Sequence, residues 1–355
     1  WARPSACARH DGQPIPRRTV DLPNQSEVPM LKPLALRAAR LIESGLERIG
    51  DRDDDAPILD PYLGYATPEG VVLRGRVLSH LRRATPDAQQ SKLTNLRQMA
   101  SLFVTDEVQG VTVTAHGVDA LSDAEGYVRL VVPGDFDPGW ATIDGTIVGQ
   151  DPVPFHARIP SPEAKYMIVS DIDDTMIETG AHSLARNLWT TFTGSALTRQ
   201  AHDDAIDLME AMVAGGRNPV FYVSSSPWNL HDFLESLFAH EGVPRGPMFL
   251  RDLGITDEGV GASHGTHKGR AIDAILSANP ELPAYLMGDS GQKDAIVYRD
   301  AIGRHPSRIR GVALREPAPG VGDDDAAAIA DIEAAGVPCF HAPSFAGARD
   351  HWRVA

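Results

Sequence analysis

The stretch that constrains this chain most is an apolar segment that ends in acids, KYMIVSDIDDTMIETG at residues 165–180. The run YMIV predicts a short buried strand of a parallel sheet. Three acids follow it within four positions, namely Asp171, Asp173 and Asp174. Ligands of open α/β sheets bind beyond the carboxyl ends of the strands. Because neighbouring carboxylates repel, Asp171 and Asp173 need a cation, a shared proton or water between them. The alternative is a solvated acidic turn.

The second half of the chain alternates between apolar strands and helical stretches, which predicts an α/β fold with a parallel sheet covered by helices on both faces. Strands are predicted near residues 166–170, 218–224, 246–250, 283–287, 309–314 and 337–341. Helices are predicted near residues 198–214, 228–239, 268–278, 292–302 and 324–335.

The first half has a different pattern, since residues 58–160 are mostly typical of β structure. Strands are predicted at residues 71–78, 111–114, 127–132 and 140–148, with Asp144-Gly145 as a hairpin turn and one helix near 91–103. Short strands at such intervals suggest a β-sandwich. This part contains no clustered His, Cys or paired acids, so we expect an accessory domain.

The length of 355 residues predicts about two domains, with a boundary near Pro160-Ser161-Pro162. Because the first residue is not Met, the true start stays open. The predicted organisation is a disordered tail at 1–32, an amphipathic helix (33–49) and β-sandwich within 33–160, an α/β catalytic domain at 163–345, and a tail at 346–355.

Composition excludes some functions. The formal net charge of −15 argues against a general nucleic-acid binder or a polybasic membrane anchor. The two cysteines, Cys7 and Cys339, indicate no disulfide framework, so we expect a cytoplasmic protein. No apolar run approaches the ~20 residues that a transmembrane helix needs.

A second predicted strand ends in hydroxyls, at Ser224, Ser225 and Ser226. Ser226 is a suitable N-cap and Pro227 a suitable first-turn residue for the next helix. Hydroxyls beside a helix N-terminus can bind phosphate. The alternative is that these serines serve only as cap and turn.

Two further motifs follow, GTHKGR and MGDSGQKD. In the first, Lys268 is predicted to start a helix, where its charge opposes the helix dipole; the alternative is a surface lysine. In the second, Asp289 ends a predicted strand and Asp294 follows five residues later; the alternative is helix capping by Asp289 or Ser290.

The order of these motifs resembles that of the haloacid-dehalogenase-like phosphatase superfamily: a strand-end DxDxT, a strand-end Ser, a helix-start Lys and a strand-end GDxxxxD. The segments YMIVSDIDDT, VSSSPWNL, FLRDLG, THKGRAI and GDSGQKD are similar to the family of the yeast actin-patch-associated phosphatidate phosphatase, as is the GRVL segment of the β-rich region. The resemblance covers about residues 60–345. It implies a three-layer, Rossmann-like catalytic domain.

The resemblance also implies a reaction. Asp171 would be the nucleophile that forms an aspartyl-phosphate, and Asp173 the general acid that protonates the leaving oxygen and then activates water. An acid at Asp173 favours a phosphatase over a dehalogenase, because halide displacement needs no such proton. Ser224 would bind the phosphoryl oxygens and Lys268 would neutralise their charge.

The implied cofactor is Mg²⁺, which prefers oxygen ligands. Its expected ligands are the Asp171 carboxylate, the Asp173 main-chain carbonyl, Asp289 and Asp294. Three more residues are expected near the substrate: Thr175 beside Asp174 in the turn, Ser225 as a substitute for Ser224, and Trp228.

Substrate choice is predicted from what can cover the site. The segment 178–197 is long enough for a helical flap but not for a globular cap, and the segment 229–264 holds one helix, a strand and a loop. We therefore expect an open site that suits a large or interfacial phosphate ester. Trp189, Phe192 and Trp228 would lie at its rim and contact acyl chains or a membrane interface, or else pack in the core. Phosphatidate is the first substrate, with a phosphoprotein, nucleotide or sugar phosphate as alternatives. A non-catalytic adaptor with the same fold is the other class of function, and a membrane-surface protein that uses the 33–49 helix is a third.

Overall fold

The computed structural model describes residues 56–79, 107–178, 201–251, 264–318 and 320–354. The predicted tail at 1–32, the helices predicted at 33–49 and near 91–103, and the side chains of Trp189 and Phe192 lie outside these residues.

The first sheet has seven strands in the order β4-β3-β6-β7-β1-β2-β5. All its pairs are antiparallel except the parallel pair of β1 and β7. The sheet is nearly barrel-shaped and hydrogen-bonded throughout, so the β-sandwich predicted for this region is not confirmed. Its strands are β1 (Ile58–Thr67), β2 (Gly70–Leu78), β3 (Thr112–Ala115), β4 (Val118–Leu121), β5 (Tyr127–Val132), β6 (Gly139–Ile147) and β7 (Val153–Ile159).

The prediction of a hairpin turn at Asp144-Gly145 is wrong, because both residues lie inside β6 and pair with β7. The glycine has a packing reason instead. A Cβ atom at Gly145 would lie 2.3 Å from the ring of Phe155, which is buried in the core of the first sheet. Glycine therefore marks a close approach of backbone and ring here, not a turn.

The second sheet has six strands in the order β10-β9-β8-β11-β12-β13, and every pair is parallel. This confirms the α/β class predicted from the alternating pattern. Its strands are β8 (Met167–Asp171), β9 (Val220–Pro227), β10 (Met248–Arg251), β11 (Ala284–Asp289), β12 (Ile309–Arg315) and β13 (Cys339–Ala342).

Helices cover both faces of the second sheet, because its strands are apolar on both sides. One apolar cluster joins the sheet to α1, α2 and α6, and another joins it to α3, α4 and α5. The helices are α1 (Asp203–Val213), α2 (His231–Glu241), α3 (His264–Ala278), α4 (Asp294–Arg304), α5 (Asp323–Ala334) and α6 (Ala348–His351), with a 3₁₀ turn at Trp228–Leu230. No helix in the described ranges is long and apolar enough to cross a membrane.

Residues 346–354, predicted as a tail, pack against the second sheet. The Trp352 ring lies 4.8 Å from the ring of Tyr285, and its Nε1 donates to the Val312 carbonyl at 3.3 Å. A Cβ atom at Gly311 would lie 2.6 Å from Trp352 Nε1, so a glycine at this point of β12 makes room for the indole. The end of the described chain is therefore part of the core.

The two sheets contact each other through aromatic side chains. Tyr62 of β1 stacks on Trp228 at 4.7 Å between ring centroids, with the planes 10° apart. The guanidinium of Arg74 lies 4.6 Å from the Phe249 ring centroid and 5.2 Å from that of Trp228. Its Nη2 also donates to the Met248 carbonyl at 3.0 Å. These contacts attach β1 and β2 to β9, β10 and the turn that follows β9.

Candidate active site

The candidate site lies at the point where the second sheet changes direction. From β8 the chain adds β9 and β10 on one side, and then β11, β12 and β13 on the other side. Such a reversal leaves a crevice at the carboxyl ends of the central strands, where ligands of open α/β sheets bind. Asp171 ends β8 and Asp289 ends β11, while Ser224 lies near the end of β9.

Lys268 joins two of the predicted acids. Its Nζ lies 2.7 Å from Asp171 Oδ1 and 2.6 Å from Asp294 Oδ1, and all three side chains are buried. The predicted helix start at Lys268 is wrong, because α3 begins at His264 and places the lysine beyond the first turn. The buried ammonium of Lys268 is stabilised by its ion pairs with the carboxylates of Asp171 and Asp294.

Burial governs the protonation of this group. It raises the pKa of Asp171 well above its usual range; Lys268 opposes that rise, whereas Asp294 and Asp173 add to it. Burial also disfavours the ammonium of Lys268, but the two carboxylates outweigh it, so the lysine pKa lies above its ordinary value. One lysine therefore does not fully compensate the negative charge at this place.

Asp173 has a different environment, although it is only two residues from Asp171. Its Oδ2 accepts a hydrogen bond from Ser224 Oγ at 2.8 Å and a longer one from Ser226 Oγ at 3.4 Å. Burial raises the pKa of Asp173, and the hydrogen bond from Ser224 lowers it in part. The hydroxyl partners of Asp173 supply no full charge, whereas Asp171 has the ammonium of Lys268 beside it.

The prediction that Ser226 caps a helix is wrong. Strand β9 continues to Pro227, and the next helical residue is Trp228. The hydroxyl of Ser226 points to Asp173 instead, while its backbone N–H donates to Ser224 Oγ at 2.9 Å. Ser226 is therefore part of the site, which sequence reasoning missed.

Asp289 is the last residue of β11, and Asp294 is the first residue of α4. The backbone N–H of Asp289 donates to Asp294 Oδ2 at 3.2 Å, and that of Gly291 donates to Asp289 Oδ2 at 3.0 Å. A Cβ atom at Gly288 would lie 2.6 Å from Asp294 Oδ2, so only glycine lets the second acid approach the strand. Burial, followed by Asp294, raises the pKa of Asp289 to about 8.

The structure brings three carboxylates together in a way that fits a cation. Asp171, Asp289 and Asp294 are buried, and each offers an oxygen within 4.8 Å of the oxygens of the other two. Asp289 Oδ1 is buried without a hydrogen-bond partner. Buried carboxylate oxygens at this spacing match the ligands that Mg²⁺ prefers.

The turn after Asp173 is held by several polar contacts. Asp174 has a left-handed backbone with φ of 56°, and its N–H donates to the Ile177 carbonyl at 2.8 Å. Thr175 Oγ1 lies 3.4 Å from Asp171 Oδ2, as expected for a residue that shapes this turn. Gln292 Nε2 donates to Asp174 Oδ2 at 2.9 Å. Gln292 was not among the predicted residues, because a lone glutamine in a loop carries no pattern.

Ser225 and Trp228, which were predicted to contact substrate, are less buried than Asp171, Asp173 and Lys268. Ser225 is half-buried, next to the buried Ser224, and Trp228 is half-buried. One face of Trp228 is occupied by Tyr62, and the tryptophan ring also lies 5.8 Å from that of His231. Trp228 therefore packs between the sheets, which is the second of the two placements considered for it. Its contact with substrate stays a prediction.

Comparison with known proteins adds to this geometry. Residues 166–316 match the family model described as "Phosphatidate phosphatase APP1, catalytic domain", a range that contains every predicted site residue. The chain resembles the APP1 catalytic-domain family. This confirms the resemblance inferred from the motifs.

The chain is also similar to two curated proteins. The chain is 28% identical over 270 residues to phosphatidate phosphatase APP1 of Saccharomyces cerevisiae, an alignment that covers 72% of this chain and 42% of the yeast protein. It is 27% identical over 151 residues to an uncharacterized protein of Schizosaccharomyces pombe, covering 42% of this chain and 25% of that protein. The chain thus spans less than half the length of the relatives it matches.

A solved structure also overlaps with the chain, a carbohydrate acetylesterase from Xanthomonas citri. The overlap covers 73% of this chain and 68% of that one, at 10% identity and a TM-score of 0.26. This degree of similarity carries no argument about the fold or the function.

Proposed function

We propose that this chain is a Mg²⁺-dependent phosphomonoester hydrolase that acts through an aspartyl-phosphate on Asp171, with phosphatidate as its first substrate. The observation that carries the proposal is the contrast between two acids of one strand end. Asp171 faces the cation Lys268, whereas Asp173 faces the hydroxyls of Ser224 and Ser226. Two carboxyls in such different environments suit a nucleophile and a proton donor.

The first half of the reaction follows from this contrast. A carboxylate oxygen of Asp171 forms a bond to phosphorus while the bond from phosphorus to the ester oxygen breaks. The leaving alkoxide takes a proton from the carboxyl of Asp173, which the hydroxyls of Ser224 and Ser226 orient without supplying a compensating charge. Lys268 lies against Asp171 and balances the charge of the incoming phosphoryl group.

The second half reverses the role of Asp173. Its carboxylate accepts a proton from water, the water oxygen bonds to phosphorus, and the bond from phosphorus to Asp171 breaks. The products are inorganic phosphate and the original carboxylate. Ser224 keeps Asp173 oriented through the 2.8 Å hydrogen bond in both halves.

The residues present fit a divalent cation. Asp171, Asp289 and Asp294 would hold Mg²⁺ through carboxylate oxygens, and Asp173 would add its main-chain carbonyl. When bound, the ion would offset the negative charge that Lys268 leaves uncompensated and would attract the phosphoryl oxygens. The unpartnered Oδ1 of Asp289 supports this assignment.

The proposal extends to the fold and the substrate. A parallel sheet between two helical layers, with DxDxT at the end of its central strand β8, supports a haloacid-dehalogenase-like domain. Phosphatidate is proposed because the matched family model and the yeast relative carry that activity in their names. A cytoplasmic enzyme that meets its lipid at a membrane surface is the corresponding expectation.

The test measures phosphate release from phosphatidate in mixed micelles and from a soluble aryl phosphate, with Mg²⁺ and with EDTA. The variants are Asp171→Asn and, as a matched control, Asp119→Asn in the first sheet, where the carboxylate only accepts a hydrogen bond from Thr114. We expect Mg²⁺-dependent release from both esters that Asp171→Asn abolishes and Asp119→Asn retains.

Each other outcome removes a part of the proposal. Release from the aryl ester alone would keep the mechanism and discard the lipid. Absence of release from both, in a folded protein, would discard the phosphatidate phosphatase and favour another phosphomonoester or the adaptor function.

A further inference from the structure

We propose that Gln292 is a positioning residue that links the loop after β8 to the loop after β11, and that this link sets the affinity of the candidate site for Mg²⁺. The inference rests on the proposed function, because it concerns the same metal site. It assigns a role to a side chain whose hydrogen bonds go to Asp173 and Asp174.

The two segments follow different strands, and Lys268 joins them through Asp171 and Asp294, whereas Gln292 joins the second segment to the turn after Asp173. Strands β8 and β11 are paired as far as Ser170 and Met287. Beyond that pair, the chain continues from Asp171 at the end of β8 to Asp173 and Asp174, and from Asp289, which still pairs with β12, to Asp294 at the start of α4. The donors expected to bind one ion therefore come from two segments that no longer pair with each other.

Gln292 reaches from the second loop to the first. Its Nε2 donates to Asp174 Oδ2 at 2.9 Å and lies 3.4 Å from the main-chain oxygen of Asp173. An amide NH₂ has two N–H donors, so one side chain can serve both acceptors without adding charge. The Asp173 carbonyl is the oxygen that the family resemblance assigns to the metal.

The backbone conformation of Asp174 explains how the hydrogen bond from Gln292 could orient the Asp173 carbonyl. Its φ of 56° is in the left-handed region, which residues other than glycine adopt rarely. A hydrogen bond to the Asp174 side chain helps to hold that conformation, and the conformation sets the direction of the preceding carbonyl. Because Gln292 lies between Asp289 and Asp294 in sequence, the same bond ties the second set of donors to the first.

The competing explanation is that Gln292 is a half-buried polar side chain with a purely structural bond. The two explanations differ in what a substitution changes. A structural role changes the melting temperature alone, whereas a positioning role changes the dissociation constant for Mg²⁺, since residues behind metal ligands commonly alter affinity by about 10–100-fold.

Two substitutions remove the link in different ways. Gln292→Met keeps the length of the side chain and removes both donors. Gln292→Glu keeps the shape but sets a carboxylate against that of Asp174. Adding Asp174→Asn to Gln292→Glu supplies an amide donor on the opposite side and restores one bond with reversed polarity. Gln150→Met is the matched control, because Gln150 donates its amide to the Pro57 carbonyl at the start of the first sheet.

The experiment titrates Mg²⁺ into the full chain, stripped with EDTA and free of substrate, by isothermal calorimetry, with melting curves in parallel. We expect the dissociation constant to rise ~10-fold in Gln292→Met and further in Gln292→Glu. The double variant should recover at least about a third of the lost affinity on a logarithmic scale, and Gln150→Met should stay within about twofold of the wild type.

Two results would overturn the inference, and they are distinguishable. If the wild type binds Mg²⁺ and releases phosphate, but both Gln292 variants bind Mg²⁺ as the wild type does, the link has no positioning role and the proposed function stands. If the wild type neither binds Mg²⁺ nor releases phosphate, the metal site itself is absent and both proposals fall.

Discussion

In the absence of divalent cations, the free energy of unfolding of this protein should fall as the pH rises through the neutral range. The reason is Asp289, whose pKa burial and Asp294 raise to about 8, while an unfolded aspartate has a pKa of about 3.9. Between these values the folded state binds a proton that the unfolded state has released. This bound proton stabilises the folded state relative to the unfolded state. Its contribution to the free energy of unfolding is fully present below about pH 4 and is lost as the pH rises towards 8.

The magnitude follows from the same two values. Each pH unit within this window is worth about 1.4 kcal/mol for one proton, so the step from pH 5.5 to pH 7.5 removes about 3 kcal/mol. For a chain of this size that corresponds to a fall of roughly 5 °C in melting temperature. Because Mg²⁺ must displace this proton, its dissociation constant should tighten ~10-fold per pH unit over the same range.

The assay compares melting temperatures at pH 5.5, 6.5 and 7.5, with EDTA and with saturating Mg²⁺. The variant Asp289→Asn has no proton to lose at this position, so subtracting its melting temperature isolates the contribution of Asp289. We expect the wild type to lose about 5 °C relative to the variant between pH 5.5 and 7.5 in EDTA. A difference that stays constant with pH, or a Mg²⁺ stabilisation that does not grow with pH, would refute the reasoning.

Three further predictions test separate parts of the structure. Gly145→Ala should destabilise the fold by about 1–3 kcal/mol in denaturant titration, because the new methyl group overlaps the Phe155 ring, whereas Gly303→Ala, with open space around it, should be neutral or slightly stabilising. Lys268→Met should lower the free energy of unfolding by about 3–5 kcal/mol at neutral pH, because it leaves two buried carboxylates uncompensated. Mg²⁺ should restore part of this stability, and equal stability of the variant with and without Mg²⁺ would contradict the prediction. Asp173→Asn should slow release from an alkyl phosphate far more than from a nitrophenyl phosphate, whose leaving oxygen needs no proton, and an equal loss on both would exclude its role as general acid.

The second sheet was predictable because its strands are apolar runs separated by amphipathic helices. Each of its six strands overlaps a predicted one, and β8 ends at Asp171, where the acids begin. The grouping of Asp171, Asp289 and Asp294 was expected from the family resemblance of the motifs, and the structure brings the three carboxylates together where parallel strands end.

The first sheet was less predictable because alternation does not say which strands pair. The strand Tyr127–Val132 was predicted with its observed bounds, yet the sequence suggested two sheets where the structure has a single, strongly curved one. The turn predicted at Asp144-Gly145 was wrong for a related reason, because the sequence does not show what packs against Gly145. A glycine after an aspartate is typical of a turn, and its actual reason is the ring of Phe155 on the neighbouring strand.

Side-chain partners explain the remaining differences at the site. Ser226 has the residue type and position of a helix cap, but its hydroxyl donates to the buried Asp173, in the turn after β8. Gln292 has no sequence signal, because its role depends on a loop more than a hundred positions earlier in the chain. Such contacts become visible only when both loops are placed in space.

The aromatic contact between the sheets has a consequence for any attempt to shorten or recombine the chain. A cut at Pro160–Pro162 would leave Trp228 and Phe249 without the tyrosine and arginine that now cover them. Trp228 lies two residues after Ser226, whose hydroxyl reaches Asp173. The second half made alone should therefore tend to aggregate and should also be less ordered around Asp173. A chimera that takes the first half from a related chain should fold stably only when Tyr62 and Arg74 are kept together with Trp228 and Phe249, the aromatic residues that they cover.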